Sequence, residues 1–109
     1  MNYHAHVYWQ NNKERDIALS LHFQLKEYEC KIGRVWDQPI GPHPLPMYQV
    51  NYNSSNQNLV ESYLQSQPLT ILLHEDIGID HVRDHTEGAR WIGEQLELDL
   101  NFLRQFQDE

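Results

Sequence analysis

Cysteine, basic side chains and long apolar runs are all scarce in this chain of 109 residues. The single cysteine, Cys30, excludes an internal disulfide and is typical of a reducing compartment. Only 8 Lys and Arg stand against 16 Asp and Glu, and the net charge of −8 argues against nucleic acid or an anionic membrane as a partner. No apolar run reaches the length of a membrane span, and the first residues lack the basic start of a secretion signal. We therefore expect a cytoplasmic protein that binds neither membrane nor nucleic acid.

The apolar content is nonetheless sufficient for a folded protein. Hydrophobic residues make up 39% of the chain and aromatic residues 11%, which distinguishes it from disordered sequences. A chain of 109 residues holds one core, so we expect a single domain over residues 1–109.

Sequence periodicity predicts four strands and two helices before a helical tail. In the first helix, for example, Ile17, Leu21 and Leu25 recur at helical spacing. The predicted elements are strands at 3–9, 31–37, 46–52 and 69–74, helices at 14–29 and from the turn at 54–56 through Leu64, a polar loop at 75–84, and two short helices after residue 86 with a break near 96–100. This βαββαβ order predicts an α+β, ferredoxin-like fold, an antiparallel sheet with both helices on one face, plus a C-terminal helical tail.

The fold makes the first and third strands central, with the fourth strand beside the first and the second beside the third. We expect the first and third strands to run parallel, so that their starts are neighbours, and the fourth to run antiparallel to the first. Alternation then divides the side chains between two faces. Towards the helices we expect Ala5, Val7, Val35, Val50, Ile71 and Leu73, and on the uncovered face His4, His6, Arg34, Trp36, Gln49 and His74.

A proline-rich loop over residues 41–49 carries one histidine. Pro42 and Pro44 each fix their own φ and push the residue before them towards an extended backbone. His43 therefore lies in a stiff segment just before the third strand. Such stiffness suits an imidazole that must be held in one place.

Four histidines are predicted to meet at one end of the sheet. His4 and His6 open the first strand, His43 precedes the third and His74 ends the fourth. Histidines at i and i+2 on a strand lie ~7 Å apart, close enough to lean onto one ion with bonds of ~2.1 Å. The convergence favours a metal site, with a structural histidine cluster as the alternative. Imidazole suits iron, zinc, copper or nickel, so these ligands leave the metal open.

Further side chains could complete a reactive site. His85 follows His74 closely enough to work as an acid or base, with an unreactive loop position as the equal alternative. Arg34 could bind a substrate carboxylate in a bidentate manner or form only a surface salt bridge. Trp36 and Tyr8 could wall an aromatic pocket or a dimer contact.

Four motifs together cover nearly the whole chain. They are His-Ala-His-Val-Tyr at 4–8, Gly-Pro-His-Pro at 41–44 running into Met-Tyr-Gln at 47–49, Leu-Leu-His at 72–74, and Asp-His-Thr at 84–86 with Ala89, Trp91 and Gly93. In this order they resemble the small DOPA 4,5-dioxygenase family. The resemblance implies a ferredoxin-like enzyme that cleaves a catechol ring beside a hydroxyl, using non-haem Fe(II) and dioxygen.

The resemblance also implies roles for individual residues. The family's histidines fall on His4, His6, His43, His74 and His85 of this sequence. We expect three of the first four to bind the metal, and His85, His4 or His43 to move the protons. The implied substrate is a small aromatic diol such as DOPA or a caffeate-like catechol. From the side chains themselves, we expect Arg34, Trp36, Tyr8 and Gln49 to bind it. Zinc or another divalent metal could replace iron in a purified sample.

Two departures from the family pattern concern the loop after the fourth strand. Glu75 stands where the family usually has proline, and Gly78-Ile79-Asp80 stands where Gly-Asp-Asp is usual. These changes bear on substrate choice more than on the metal. Two alternatives stay open: a non-catalytic metal-binding or dimerisation module, with the histidines at a homodimer interface, and a metal-dependent enzyme of another class, such as a zinc hydrolase.

Overall fold

The computed structural model describes residues 1–107, which form one five-stranded antiparallel sheet with helices. The strands are β1 (Asn2–Tyr8), β2 (Lys31–Ile32), β3 (Met47–Asn53), β4 (Ile71–Glu75) and β5 (Ala89–Ile92), in the spatial order β2-β3-β1-β4-β5. The helices are α1 (Asn12–Ser20), α2 (His22–Glu27), α3 (Gln57–Gln65), α4 (His81–Asp84) and α5 (Leu100–Gln107). The α+β, ferredoxin-like prediction is confirmed, with β1 and β3 at the centre.

The predicted direction of the third strand was wrong. β3 runs antiparallel to β1, so that Tyr8 lies opposite Met47 and Asn2 lies opposite Asn53. The connection explains the direction: a helical crossover makes β1 and β2 parallel, and β3 lies between them, antiparallel to both. The start of β3 therefore adjoins the end of β1, not its start.

The chain after residue 86 also departs from the prediction. Residues predicted to be helical form β5, which pairs with β4 and places Ala89 opposite His74 and Ile92 opposite Ile71. The free edge of β4 supplies backbone partners that local periodicity does not reveal. The helical tail is confirmed only for α5, after the expected break. The loop predicted at 75–84 contains the short helix α4, whose N-terminus is capped by the Asp80 side chain accepting from Arg83 N.

Two predicted elements are shorter than expected. The helix at 14–29 is divided at Leu21, where Ser20 Oγ donates to Ile17 O and competes with the regular backbone pattern. The strand at 31–37 is reduced to β2 and one isolated bridge between Trp36 and Met47. The second predicted helix is confirmed as α3.

The two faces of the sheet are both covered. The helix-facing core contains Ala5, Val7, Val50, Ile71 and Leu73 as predicted, and Val35 packs against it. The face expected to be uncovered carries a second apolar cluster, built on Tyr8, Met47 and Leu72 with Trp36, Ile40, Leu45, Trp91, Leu96 and Leu98 packed around it. Loop residues thus shield from water the face that carries the histidines. Within residues 1–107, no helix has the length and apolar content that crossing a bilayer requires.

Candidate metal centre

Five histidines come together on the loop-covered face of the sheet. They are His4 and His6 on β1, His43 in the proline loop, His74 on β4 and His85 directly after α4. The ring of His6 lies 4.2 Å from that of His43 and 4.9 Å from that of His74, measured between centroids. The rings of His74 and His85 are 4.1 Å apart. The convergence expected from the sequence is therefore present, and His85 belongs to it.

His43 reaches this cluster by folding of its loop, not by the predicted alignment of strand starts. A turn in which His43 N donates to Ile40 O reverses the chain, and Asp99 N donates to Pro42 O from the segment before α5. The loop therefore lies back over the sheet. Its histidine accepts or donates a 2.8 Å hydrogen bond between Nδ1 and the Tyr8 hydroxyl.

Backbone contacts orient two of the imidazoles. His74 Nδ1 lies 2.8 Å from Glu75 O, and His85 Nδ1 lies 2.8 Å from His81 O. A carbonyl oxygen only accepts, so both Nδ1 atoms carry the proton and both Nε2 atoms keep a lone pair. This is the arrangement by which proteins usually orient a metal-binding histidine.

The hydrogen bonds of His6 leave one nitrogen unsatisfied. His6 Nε2 and His74 Nε2 are 2.8 Å apart, and because His74 offers a lone pair there, His6 Nε2 donates. His6 Nδ1 is then a bare lone pair, and it has no hydrogen-bond partner among the described residues. Leaving a buried polar group without a partner costs about 1–3 kcal/mol. A cation between the two Nε2 atoms would replace the proton they share and leave both lone pairs as ligands, so the donor set fits a metal ion.

Burial keeps the cluster neutral. Loss of hydration lowers the pKa of His43 to about 4 and that of His74 to about 3, with His85 adding repulsion in both cases. The pKa of His6 is held well below its usual value, first by burial and then by the surrounding imidazoles. Burial also lowers the pKa of His4 and of His85. Near neutral pH these side chains therefore offer lone pairs rather than charges.

Two groups of three histidines have the spacing of a metal site. His4, His6 and His74 form one group, and His6, His43 and His85 form the other, with ligand atoms within 4.8 Å of one another in each. Cis ligands with metal–nitrogen bonds of ~2.1 Å lie ~3.0 Å apart, close to the separation of His6 and His74. His6 is shared by both groups. Imidazole donors fit iron, zinc, copper or nickel.

Three carboxylates lie close to the histidine cluster, but none belongs to the two groups with metal spacing. Asp76 Oδ2 lies 3.2 Å from His4 Nε2, a contact that the sequence did not predict. Asp84 is buried and accepts from Ile77 N and Arg83. Glu75 also pairs with Arg83. The two groups with metal spacing therefore consist of histidines alone.

The four side chains predicted to bind substrate have different neighbours, although Tyr8 and Trp36 share the second apolar cluster and Gln49 lies opposite His6 in the sheet. Tyr8 is fully buried beside His43. The guanidinium of the exposed Arg34 lies 4.3 Å from the ring centroid of Trp36, and Gln49 Nε2 donates to Asn51 Oδ1. Within residues 1–107, none of the four lines the groove that opens beside His85.

That groove is the feature that sequence reasoning missed. It has a volume of about 630 Å³ and is lined by His85, Ala89, Trp91, Leu96 and other residues of the 85–100 segment. Ala89 lies opposite His74 in the sheet, and the ring of Trp91 stacks on that of Tyr8 with centroids 6.1 Å apart. The alternation in Ala89-Arg90-Trp91-Ile92 indicates a strand, but the tail was predicted to be helical, so the groove was not anticipated.

Comparison with known proteins agrees with this architecture. The family model described as the Dopa 4,5-dioxygenase family matches residues 3–102. The chain is 30% identical to a DOPA 4,5-dioxygenase from Amanita muscaria, over 98% of this chain and 51% of the relative. It is 35% identical to an uncharacterized 21.2 kDa protein from Botryotinia fuckeliana, over 96% of this chain and 64% of the relative. The chain thus spans between half and two thirds of these relatives.

A solved structure is also similar along nearly its whole length. A crystal structure from Nostoc punctiforme, which carries a provisional dioxygenase name, superposes with a TM-score of 0.90 at 39% identity. The match covers 96% of this chain and 92% of the other. The family match extends over all five clustered histidines. The chain belongs to the Dopa 4,5-dioxygenase family.

Proposed function

We propose that this protein is an extradiol dioxygenase that cleaves the ring of a catechol with non-haem Fe(II) and dioxygen. The observation that carries the proposal is the group of five buried or half-buried histidines beside an aromatic groove, with one imidazole nitrogen left unpartnered. Membership of the dioxygenase family supports the reaction class. Iron, the catechol substrate and the extradiol position of cleavage are parts of the proposal.

We assign the metal to three of His4, His6, His43 and His74. His74 is the best prepared, because its Nδ1 donates to Glu75 O and its Nε2 lone pair faces His6 Nε2. His6 stands in both groups with metal spacing. Bound Fe(II) supplies Lewis-acid binding of the catechol and activation of dioxygen. Zinc in a purified sample would occupy the same nitrogens without redox chemistry.

The reaction requires proton transfer at the diol. In extradiol cleavage the bond breaks between a hydroxyl-bearing ring carbon and its neighbour that carries no hydroxyl. One atom of dioxygen enters the new carboxylate, which keeps the original hydroxyl oxygen as its second oxygen, and the other atom forms the aldehyde. A neutral imidazole accepts a catechol proton, and the resulting imidazolium returns one. We assign this role to His85, with His43 and His4 as the other candidates. Burial raises the pKa of Tyr8, so its hydroxyl stays protonated, and its oxygen can accept from His43 Nδ1 and leave the His43 Nε2 lone pair free.

The groove beside His85 provides a place for the catechol. Trp91 offers an aromatic surface for the ring, and Ala89 links the groove to His74 through the sheet. Tyr8 contributes through its contacts with Trp91 and His43. The substrate roles of Arg34, Trp36 and Gln49 stay predictions, as do the homodimer and the cytoplasmic location.

Oxygen uptake tests the proposal directly. Protein reconstituted anaerobically with Fe(II) is mixed with a panel of catechols, and uptake with a coloured ring-cleavage product is expected. His43→Ala should abolish turnover while the protein stays folded. Iron binding without uptake would point to another metal chemistry, and failure to hold iron would favour the non-catalytic module.

A further inference from the structure

The groove beside His85 combines apolar and acidic surface. Trp91 and Leu96 are half-buried in its lining, and Glu87 and Glu97 are exposed in it. Among the described residues that line the groove, none is a lysine or an arginine. The groove therefore offers an aromatic surface together with negative charge.

The groove is joined to the histidines at three points. His85 lines the groove and also packs on His74, with ring centroids 4.1 Å apart. Ala89 lies opposite His74 in the sheet, and Trp91 stacks on Tyr8, the hydrogen-bond partner of His43. A planar ring against Trp91 is consequently next to the metal centre, and its substituent is left to meet the exposed carboxylates.

We propose that Glu87 and Glu97 make the groove selective for catechols whose side chain carries a positive charge, over catechols of the same size that carry a carboxylate. The inference rests on the proposed function, since it takes the groove to receive the catechol. The sequence suggested that Arg34 binds a substrate carboxylate, which would favour an anionic catechol. The proposal predicts the opposite preference, because the Arg34 guanidinium lies over Trp36 and does not line the groove. A catechol with a zwitterionic side chain should bind with an affinity between those of the cationic and anionic catechols.

The size of the effect follows from exposure. An exposed ion pair changes a dissociation constant only a few-fold. Two carboxylates attract one ligand and repel the other, so a preference on the order of tenfold is expected at low salt. Salt screens exposed charges, so the preference should shrink at high ionic strength.

A basic side chain near each glutamate opposes the selectivity. Arg90 lines a further groove together with Glu87, although it is paired with Glu61. Arg104 lines the neighbouring groove together with Glu97 and donates to Asn101 Oδ1 at 2.7 Å. The charge of Arg104 weakens the field of Glu97 more than that of Glu87, because Glu87 does not line the groove that contains Arg104. Removing it with Arg104→Gln is therefore expected to increase the preference for the cation.

Calorimetric titration tests the proposal without turnover. Zinc-loaded protein is titrated with dopamine, with 3,4-dihydroxyphenylacetate and with neutral 4-ethylcatechol. Dopamine should bind about tenfold more tightly than the acid, with the neutral ligand between them. Glu87→Gln and Glu97→Gln should each lower this ratio by about threefold, and the double variant should bring it close to one. The metal-free protein should keep the same order, because the carboxylates act independently of the ion.

Glu94→Gln is the matched control, since Glu94 is an exposed glutamate near the groove but outside its lining. It should leave the ratio unchanged. Equal binding of the two charged ligands, no binding of 4-ethylcatechol, or an equal change in Glu94→Gln would overturn the proposal. If the iron-loaded protein binds catechols in the expected order but consumes no dioxygen, the proposed activity fails while the selectivity stands.

Discussion

His6 Nε2 and His74 Nε2 lie 2.8 Å apart, although 68 positions separate the two residues in the sequence. The adjacent strands β1 and β4 create this contact, since His4 pairs with His74 and His6 lies two residues further along β1. Two imidazole nitrogens at that separation share either a proton or a cation. When the proton lies on His6 Nε2, the lone pair of His6 Nδ1 has no hydrogen-bond partner among the described residues.

Removal of either nitrogen should therefore abolish tight metal binding. We expect His74→Ala to weaken the affinity for Fe(II) or Zn²⁺ by more than roughly 100-fold, beyond the effect of losing an outer partner. Calorimetric titration measures the affinity. The control is His22→Ala, because His22 lies on α2 and packs edge-on against Tyr48 instead of joining the cluster. An unchanged affinity in His74→Ala would contradict the site.

The metal-free protein should lose stability as the pH falls below about 6.5. Unfolded histidines take up protons there, whereas folded His43 and His74 do so only near pKa values of about 4 and 3. The folded state binds fewer protons, so the free energy of unfolding falls by up to about 1.4 kcal/mol per pH unit for each such histidine. The contribution is fully present above pH ~6.5 and is lost on acidification.

Urea unfolding in the presence of a chelator, at pH values from 7.5 to 4.5, measures this loss. In His43→Gln, the free energy of unfolding should fall less steeply with decreasing pH, because one titrating histidine is missing. A free energy of unfolding that stays constant or rises as the pH falls through this window would show that the cluster is not held neutral. Added metal should steepen the dependence, because protons compete for the same nitrogens.

Tyr8→Phe should test how His43 is oriented. The substitution removes the partner of His43 Nδ1, so the imidazole loses its fixed orientation and tautomer. We expect oxygen uptake to fall by about 10–100-fold and the free energy of unfolding by about 1–2 kcal/mol. The matched control is Tyr48→Phe, which removes a buried hydroxyl bond to Ala18 O in the helix-facing core. It should cost similar stability but leave the uptake rate intact. Equal rates in the two variants would refute a role for Tyr8.

Glu61→Gln should destabilise the edge of the sheet that forms the groove. Glu61 is a buried residue of α3 that accepts from Tyr52 on β3 and from Arg90 on β5. Neutralising Glu61 weakens its charge-assisted hydrogen bonds, which are shielded from water. We therefore expect the free energy of unfolding, measured with urea, to fall by about 2 kcal/mol. In Asp37→Asn, which disrupts the exposed pair with Arg15, the loss should stay below about 1 kcal/mol. Similar small losses in both would mean that Glu61 is effectively solvated.

Local patterns predicted the parts of the site that lie on strands. Alternation placed His4, His6 and His74 on the face away from the helix core, and this is confirmed by the apolar partners of Ala5 and Leu73. The same reasoning treated that face as uncovered. It could not anticipate the second apolar cluster, because the loops that form it have no periodicity.

The sequence by itself determined which side chains share a face, since a strand turns each successive residue to the opposite side regardless of its neighbours. It also determined the stiffness around His43. Only the tertiary structure decided that β3 runs against β1, that the proline loop folds back to bring His43 onto His6, and that Ala89–Ile92 becomes a strand. Each of these depends on pairing between segments distant in the chain, where the gain comes from a partner's backbone and buried surface and not from local preference.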